Sequence, residues 1–200
     1  MQRFTEFVFG VPWVMGFFHQ DWIYDGPTAA DVVAKHLAEE NVEEALAVRR
    51  DARTLADHLP SETLEVLWTA GAQYIPGFDR ITGAEWTRTV VGLCDARLSA
   101  QADVRPLTGA DTEDGRPQRD AVVAEIRRAD FLAAEVHEAL VDCAHGCTPD
   151  LAFRMLLKAV ENATGATLSP DQYQKMEAIG SALHYGEFVV DRVRFRVKSP

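Results

Sequence analysis

Cysteine is scarce in this chain of 200 residues: only Cys94, Cys143 and Cys147 occur. Three is too few, and an odd number, for a disulfide framework, which points to a reducing, cytoplasmic setting. No apolar run approaches the roughly 18 residues that a membrane-spanning helix needs. The opening Met1-Gln2-Arg3-Phe4 has no basic stretch leading into a clean apolar core, and Glu6 interrupts it, so no secretory signal is expected. Basic residues are also in deficit. Twenty Lys and Arg stand against 31 Asp and Glu, a net charge of −11. That balance argues against nucleic acid as the main partner, because binding phosphates requires a cationic surface. It suits a protein partner of opposite sign. Glycines such as Gly10, Gly71, Gly77 and Gly83 are isolated, so there is no phosphate loop. There is no Gly-x-Ser-x-Gly elbow, no His-x-x-x-His or His-x-Glu pair, no internal repeat and no low-complexity tract.

What is present is a succession of amphipathic helices with clear start signals. Thr28 with Asp31 reads as a cap for a helix from about Ala29 to Glu40, with Pro27 just before it. Asn41 with Glu44 starts a longer one, whose apolar positions Val42, Ala45, Leu46, Ala52, Leu55, Ala56 and Leu59 follow helical spacing up to Pro60. Ser61 is expected to cap the next helix, through Leu64, Leu67 and Trp68 to Gly71. Tyr74-Ile75-Pro76-Gly77-Phe78 reads as a loop, and Thr82 with Glu85 as a capping box for a helix carrying Trp86, Val90, Leu93, Cys94 and Arg97. Composition then shifts. Ala102 to Gln118 holds Pro106, Gly109, Gly115 and Pro117 and few apolar residues. The expected organisation is therefore a helical domain over residues 1–104, a linker over 105–117 and a second helical domain over 118–200.

The second half restarts with one stripe, Val122, Ile126, Ala129, Ala133, Val136 and Leu140, read as a single helix ending near Cys143. Thr148-Pro149 opens the next, and Ser169-Pro170 with Gln172 opens a third that carries Tyr173, Met176, Ile179 and Leu183. In the tail, Val193, Phe195 and Val197 alternate with Arg192, Arg194, Arg196 and Lys198, which is strand spacing. Phe188 and Val190 before it allow a small hairpin. The predicted fold is mainly α: two helical bundles with a short C-terminal β strand or hairpin. The basic face of the tail is expected to pair internally with acidic helix surface.

Three constellations carry chemistry. The run Gly16-Phe17-Phe18-His19-Gln20-Asp21-Trp22 is the densest. Phe17, Phe18 and Trp22 suit a core plug, with Phe18 and Trp22 largely buried. His19, Gln20 and Asp21 suit either backbone hydrogen bonds at a helix end or a binding surface. His19 and Asp21 diverge on a helix and share a face only on an extended segment, so a catalytic dyad is the weaker reading. Cys143-x-His145-x-Cys147 offers zinc-type donors at an unusual spacing with no second pair nearby. The alternative is a helix end, with Cys143 packed inward, Gly146 in a left-handed turn and Thr148 capping the next helix. Glu39, Glu40, Glu43 and Glu44 flank Asn41 at a helix junction, as a solvated helix start or as an anionic docking face.

Over about residues 4–104 the chain resembles a family of small immunity proteins from bacterial contact-dependent growth inhibition systems. The resemblance rests on the Phe17–Trp22 run, close to that family's YFHQDW hallmark, with Phe17 where tyrosine is common. It extends to the Asp25-Gly26-Pro27 turn, the break at Leu59-Pro60-Ser61-Glu62, an aromatic before Pro76 and a closing helix with Trp86. It implies a cytoplasmic binding protein rather than an enzyme, without metal or cofactor, that neutralises a cognate toxin domain by covering its active site. Neither nucleic acid nor membrane is expected as a partner. On that reading His19, Gln20, Asp21, Glu39, Glu40, Glu43 and Glu44 are the candidate contact residues, and none is catalytic. Two other classes stay open: a metal- or thiol-dependent enzyme built on Cys143, His145 and Cys147 or on His19 and Asp21, and a helical adaptor or regulatory protein.

Overall fold

A computed structural model describes residues 2–75 and 77–198; Pro76, in the expected 74–78 loop, lies outside the described residues. The described residues are mainly helical, with ten α-helices and no paired strands among them. They divide into two compact units. One is Phe9–Thr108; the other joins Met1–Val8 to Gly109–Pro200. The division by composition at 105–117 thus differs from the compact units in two ways. Residues 2–8 group with the later part of the chain, and the stretch from Gly109 onward is packed, with Ala110 and Asp111 buried.

The Phe9–Thr108 unit contains α1 (Val11–Met15), α2 (Ala29–Glu39), α3 (Val42–His58), α4 (Ser61–Gly71) and α5 (Gly83–Ser99). The caps are those the sequence signals. Thr28 Oγ1 accepts from Asp31 N, Asn41 Oδ1 from Glu44 N, and Thr82 and Glu85 form a reciprocal capping box. Ser61 behaves differently. It is the first residue of α4, and its hydroxyl accepts from Ala84 N at the start of α5, 3.0 Å away. Its oxygen thus satisfies an orphan donor of a neighbouring helix instead of its own. α5 packs on α2, α3 and α4, while α1 packs on α3 and α4. The core is Val14, Val32, Leu37, Val48, Leu55, Leu64, Trp68, Trp86 and Val90, all buried. Gly71 permits the close approach of α4 to α1: a Cβ there would lie 2.2 Å from Met15 Sδ.

The other unit contains α6 (Arg119–Arg128), α7 (Ala134–Gly146), α8 (Pro149–Asn162), α9 (Pro170–Ala182) and α10 (Glu187–Asp191). The single helix expected through Val122 and Leu140 is two. The chain leaves helical geometry at Ala129, whose carbonyl accepts from His137 Nε2 at 2.7 Å and from Leu132 N. The stripe continues across the break because both pieces bury the same kind of side chain, which periodicity alone cannot distinguish from one helix. Thr148 and Ser169 cap α8 and α9 as expected. α8 is the central element: every residue from Pro149 to Val160 is buried. That includes three charged residues one turn apart, Asp150, Arg154 and Lys158.

These charges are paired. Asp150 Oδ1 lies 2.7 Å from Arg3 NH2, and its Oδ2 lies 2.8 Å from Arg154 NH2. Tyr185 OH donates to Asp150 Oδ1, and Arg3 Nε donates to the Leu183 carbonyl. Further along α8, Lys158 Nζ and Arg192 NH2 each lie 2.8 Å from Glu161 Oε2.

The expected C-terminal strand or hairpin is not formed. Phe188 and Val190 lie in α10, and Arg194–Arg196 is a 3₁₀ turn. Only one isolated parallel bridge, Leu168 with Val197, has strand character among the described residues. At that bridge Lys198 N donates to the Leu168 carbonyl and Leu168 N to the Arg196 carbonyl. The tail's other backbone bonds are turn bonds, from Arg196 N to Val193 O and from Val197 N to Arg194 O. The arginines do pair internally: Arg192 with Glu161, Arg194 with Asp191, and Arg196 with the Glu161 carbonyl.

Two outcomes follow from these networks. Asp150→Ala leaves two buried guanidinium groups without their shared anion and is expected to cost about 3–5 kcal/mol. Denaturant unfolding of the variant against wild type measures it. Burial alone would raise the Glu161 pKa, but Lys158 and Arg192 outweigh burial and hold it below the ordinary 4.5. A depressed carboxylate pKa contributes stability above the unfolded value and loses it as pH falls through the folded value. Melting temperature recorded from neutral pH downward should therefore fall on the acid side of 4.5, and less steeply in Glu161→Gln.

Candidate functional site

The aromatic run begins where α1 ends. Gly16, Phe17 and Phe18 continue as a tight turn, with their N–H groups donating to the carbonyls of Trp13, Val14 and Met15. The two phenylalanines then point into different clusters. Phe17 is met edge-on by Trp13 at 4.5 Å and stacks on His36 of α2 at 4.1 Å. Phe18 is met edge-on by Trp22 and Trp86, each at 5.8 Å, and Trp86 in turn meets Trp68 at 5.7 Å. Such edge-to-face pairs are favourable beyond the area they bury. The Trp68 indole N–H donates to Thr87 Oγ1. Phe17 and Phe18 are buried, whereas Trp22 is only half-buried and starts a 3₁₀ turn, Trp22–Tyr24. Trp22 is thus less completely buried than Phe18.

His19, Gln20 and Asp21 are exposed at the outer edge of the turn. The contact recorded between His19 and Asp21 runs from the Asp21 main-chain N–H to Nδ1, 3.3 Å. Asp25, which follows the turn, is 3.0 Å from Lys35 Nζ, and that bond holds its carboxyl below the usual range.

Of the acidic residues at the junction of α2 and α3, Glu39, Glu40 and Glu43 are exposed. Glu44 is corrected: it is only 5% exposed and faces inward, with Oε1 accepting from Gly10 N at 2.7 Å. Two turns further along α3, buried Asp51 accepts from Val11 N at 3.2 Å. Together they satisfy the donors at the start of α1, where Gly10 takes a positive φ of 70°. Asp51 has no sequence signal that separates it from a solvated helix acid. Only its alignment with Glu44 on one face betrays it.

The Cys143, His145 and Cys147 constellation falls at the end of α7. Cys143 is buried, His145 exposed and Cys147 half-buried at the helix cap. Gly146 is the last residue of α7 and does not adopt the expected left-handed turn. Among the described residues no group of three or more His, Cys, Asp or Glu side chains is arranged to hold a metal ion. Burial pushes the Cys94 thiol up to about 12, so that sulfur stays protonated at neutral pH.

The Phe9–Thr108 unit is thus a small helical module in which a Phe-Phe turn pins an exposed polar loop over a tryptophan cluster. Residues 13–93, which hold this arrangement, match the family model of the CdiI immunity protein. The resemblance carried by the Phe17–Trp22 run is shown over that stretch. No curated protein and no solved structure matches the chain. No helix of the described residues is long and apolar enough to cross a membrane.

Phe18 sits at the centre of the cluster, 1% exposed. Phe18→Ala is expected to destabilise this unit by about 3–5 kcal/mol, as large-to-small changes at buried aromatic sites do. Trp22→Ala, at a half-buried ring, is expected to cost less. Thermal or urea unfolding of both variants gives the order.

Proposed function

We propose that this protein is a toxin-neutralising immunity protein that binds a cognate bacterial toxin domain and blocks its active site. The observation that carries the reading is the family match over residues 13–93, which spans the Phe17–Trp22 turn and the tryptophan cluster that supports it. On this reading the protein works by binding rather than by chemistry of its own, in the cytoplasm and without cofactor. His19, Gln20 and Asp21 on the turn, and Glu39, Glu40 and Glu43 at the α2–α3 junction, supply polar and anionic contacts from exposed positions. The net charge of −11 suits a cationic toxin surface. Residues 1–104 form the immunity-like domain of this proposal, followed by a linker at 105–117 and a second domain at 118–200.

Co-expression with the toxin domain encoded immediately upstream tests the reading. Cells producing the toxin survive when this protein is present and stop growing when it is absent. Loss of growth in both cases refutes it. Electrostatic steering acts on encounter and is screened by salt. The association rate is therefore expected to fall as ionic strength rises, with a smaller change in dissociation rate, measured by surface plasmon resonance or stopped flow.

A further inference from the structure

We infer that Ile23, Tyr24 and Tyr74 form the apolar centre of the surface that docks a basic protein partner. The inference rests on the immunity reading above and names the residues that would bear most of the binding. Among the large apolar side chains of this unit, most are buried, including Phe17, Phe18, Trp68 and Trp86. Tyr24 is 84% exposed, Ile23 60% and Tyr74 52%. All three lie within the stretch matched by the family model.

Their backbones are held while their side chains stand out. Tyr24 N–H donates to the Asp21 carbonyl and Asp25 N–H to the Trp22 carbonyl, closing the 3₁₀ turn. The Asp25–Lys35 pair ties the end of that turn to α2. Tyr74 N–H donates to the Phe18 carbonyl at 2.9 Å, so the loop bearing Tyr74 is fixed to the Phe-Phe turn that leads into the 3₁₀ turn bearing Ile23 and Tyr24. Rigid presentation lowers the ordering cost of association. Tyrosine is prominent among residues that dominate interface energies, because a large ring is buried for the loss of few rotations.

The chemistry of the occupant follows from the charges around these rings. Asp21 is exposed at the turn. Lys35 is outnumbered by acids, with Asp25 3.0 Å away and Glu39 also acting on it, while Arg80 and Asp79, 3.9 Å apart, offset each other. An incoming lysine or arginine finds an exposed tyrosine face for its cation, and Asp21 closes the same 3₁₀ turn that bears Tyr24. Trp86, whose ring touches Phe18, also lines a cleft of about 610 Å³ with Ala29, Ile81 and Arg80. That cleft offers room for one long side chain of the partner.

The test uses the full chain and the purified toxin domain encoded immediately upstream, with wild type, Tyr24→Ala, Tyr74→Ala and Phe195→Ala compared by calorimetry. Phe195, 65% exposed in the other compact unit, controls for loss of any surface aromatic. All variants are expected to melt with wild type, since each removes an exposed ring. At least one of the two tyrosine variants should weaken binding about tenfold or more, with Phe195→Ala unchanged. If wild type binds and both tyrosine variants stay within tenfold of it, this surface assignment fails while the immunity reading stands. If wild type does not bind the toxin at all, the immunity reading itself fails. Size-exclusion chromatography of the free chain separates one more case: a dimer that Tyr24→Ala dissociates, with toxin affinity intact, assigns the face to a second copy and overturns the inference.

Discussion

Asp150 lies between two guanidinium groups, Arg3 and Arg154, with almost none of the three side chains reaching water. A buried ion costs several kcal/mol in lost hydration unless partners replace the water, so none of the three can be removed without stranding the others. The consequence is topological. Arg3 comes from the start of the chain and Asp150 from the beginning of α8, and the same arginine donates to the Leu183 carbonyl past the end of α9. One buried anion therefore joins the first residues, the central helix and the segment leading to α10. Asp111 adds a second hold on the same segment, its carboxylate accepting from Phe4 N. Phe7 stacks on Phe188 at 5.0 Å, and Phe188 N donates to the Glu6 carbonyl.

The other compact unit uses the same device on a smaller scale. Glu44 and Asp51, both inward-facing acids of α3, take the N–H groups of Gly10 and Val11. Carboxylates that read by composition as surface charge thus serve as internal acceptors for backbone donors with no helical partner. Glu44, Asp51, Asp111, Glu125 and Asp150 are buried, against buried Arg3, Arg154 and Lys158. The difference is small beside a net charge of −11, so the outer surface keeps most of its negative character.

The candidate site is built on contrast. Phe17 and Phe18 anchor the turn to both sides, on His36 and Trp13 and on the tryptophan pair, and this leaves the following residues no route inward. His19, Gln20, Asp21, Ile23 and Tyr24 are consequently exposed on a short, hydrogen-bonded loop rather than a mobile one. A binding protein gains from such a loop because its contact residues are already ordered before the partner arrives. The family match spans this loop and the tryptophan cluster that supports it.

Helix starts were legible in the sequence because capping is local chemistry. Thr28, Asn41, Thr82, Thr148 and Ser169 each accept from a backbone N–H three residues on, and a motif of four residues suffices to specify that bond. The immunity resemblance was legible for a similar reason, since it rests on a contiguous aromatic run. The break between α6 and α7 was not, because it depends on His137 reaching back to the Ala129 carbonyl. Alternation in the tail specifies a strand only where a long enough partner edge exists; here it meets Leu168 at an isolated bridge, and Arg192 and Arg196 reach Glu161. Glu44 looked like its exposed neighbours Glu39, Glu40 and Glu43 until the position of Gly10 gave it a donor. What the sequence determined by itself was the set of helices and the aromatic motif, both encoded within a few residues. Which charges face inward, and which aromatics remain outside, was decided only by tertiary structure, because burial and pairing depend on residues far apart in the chain.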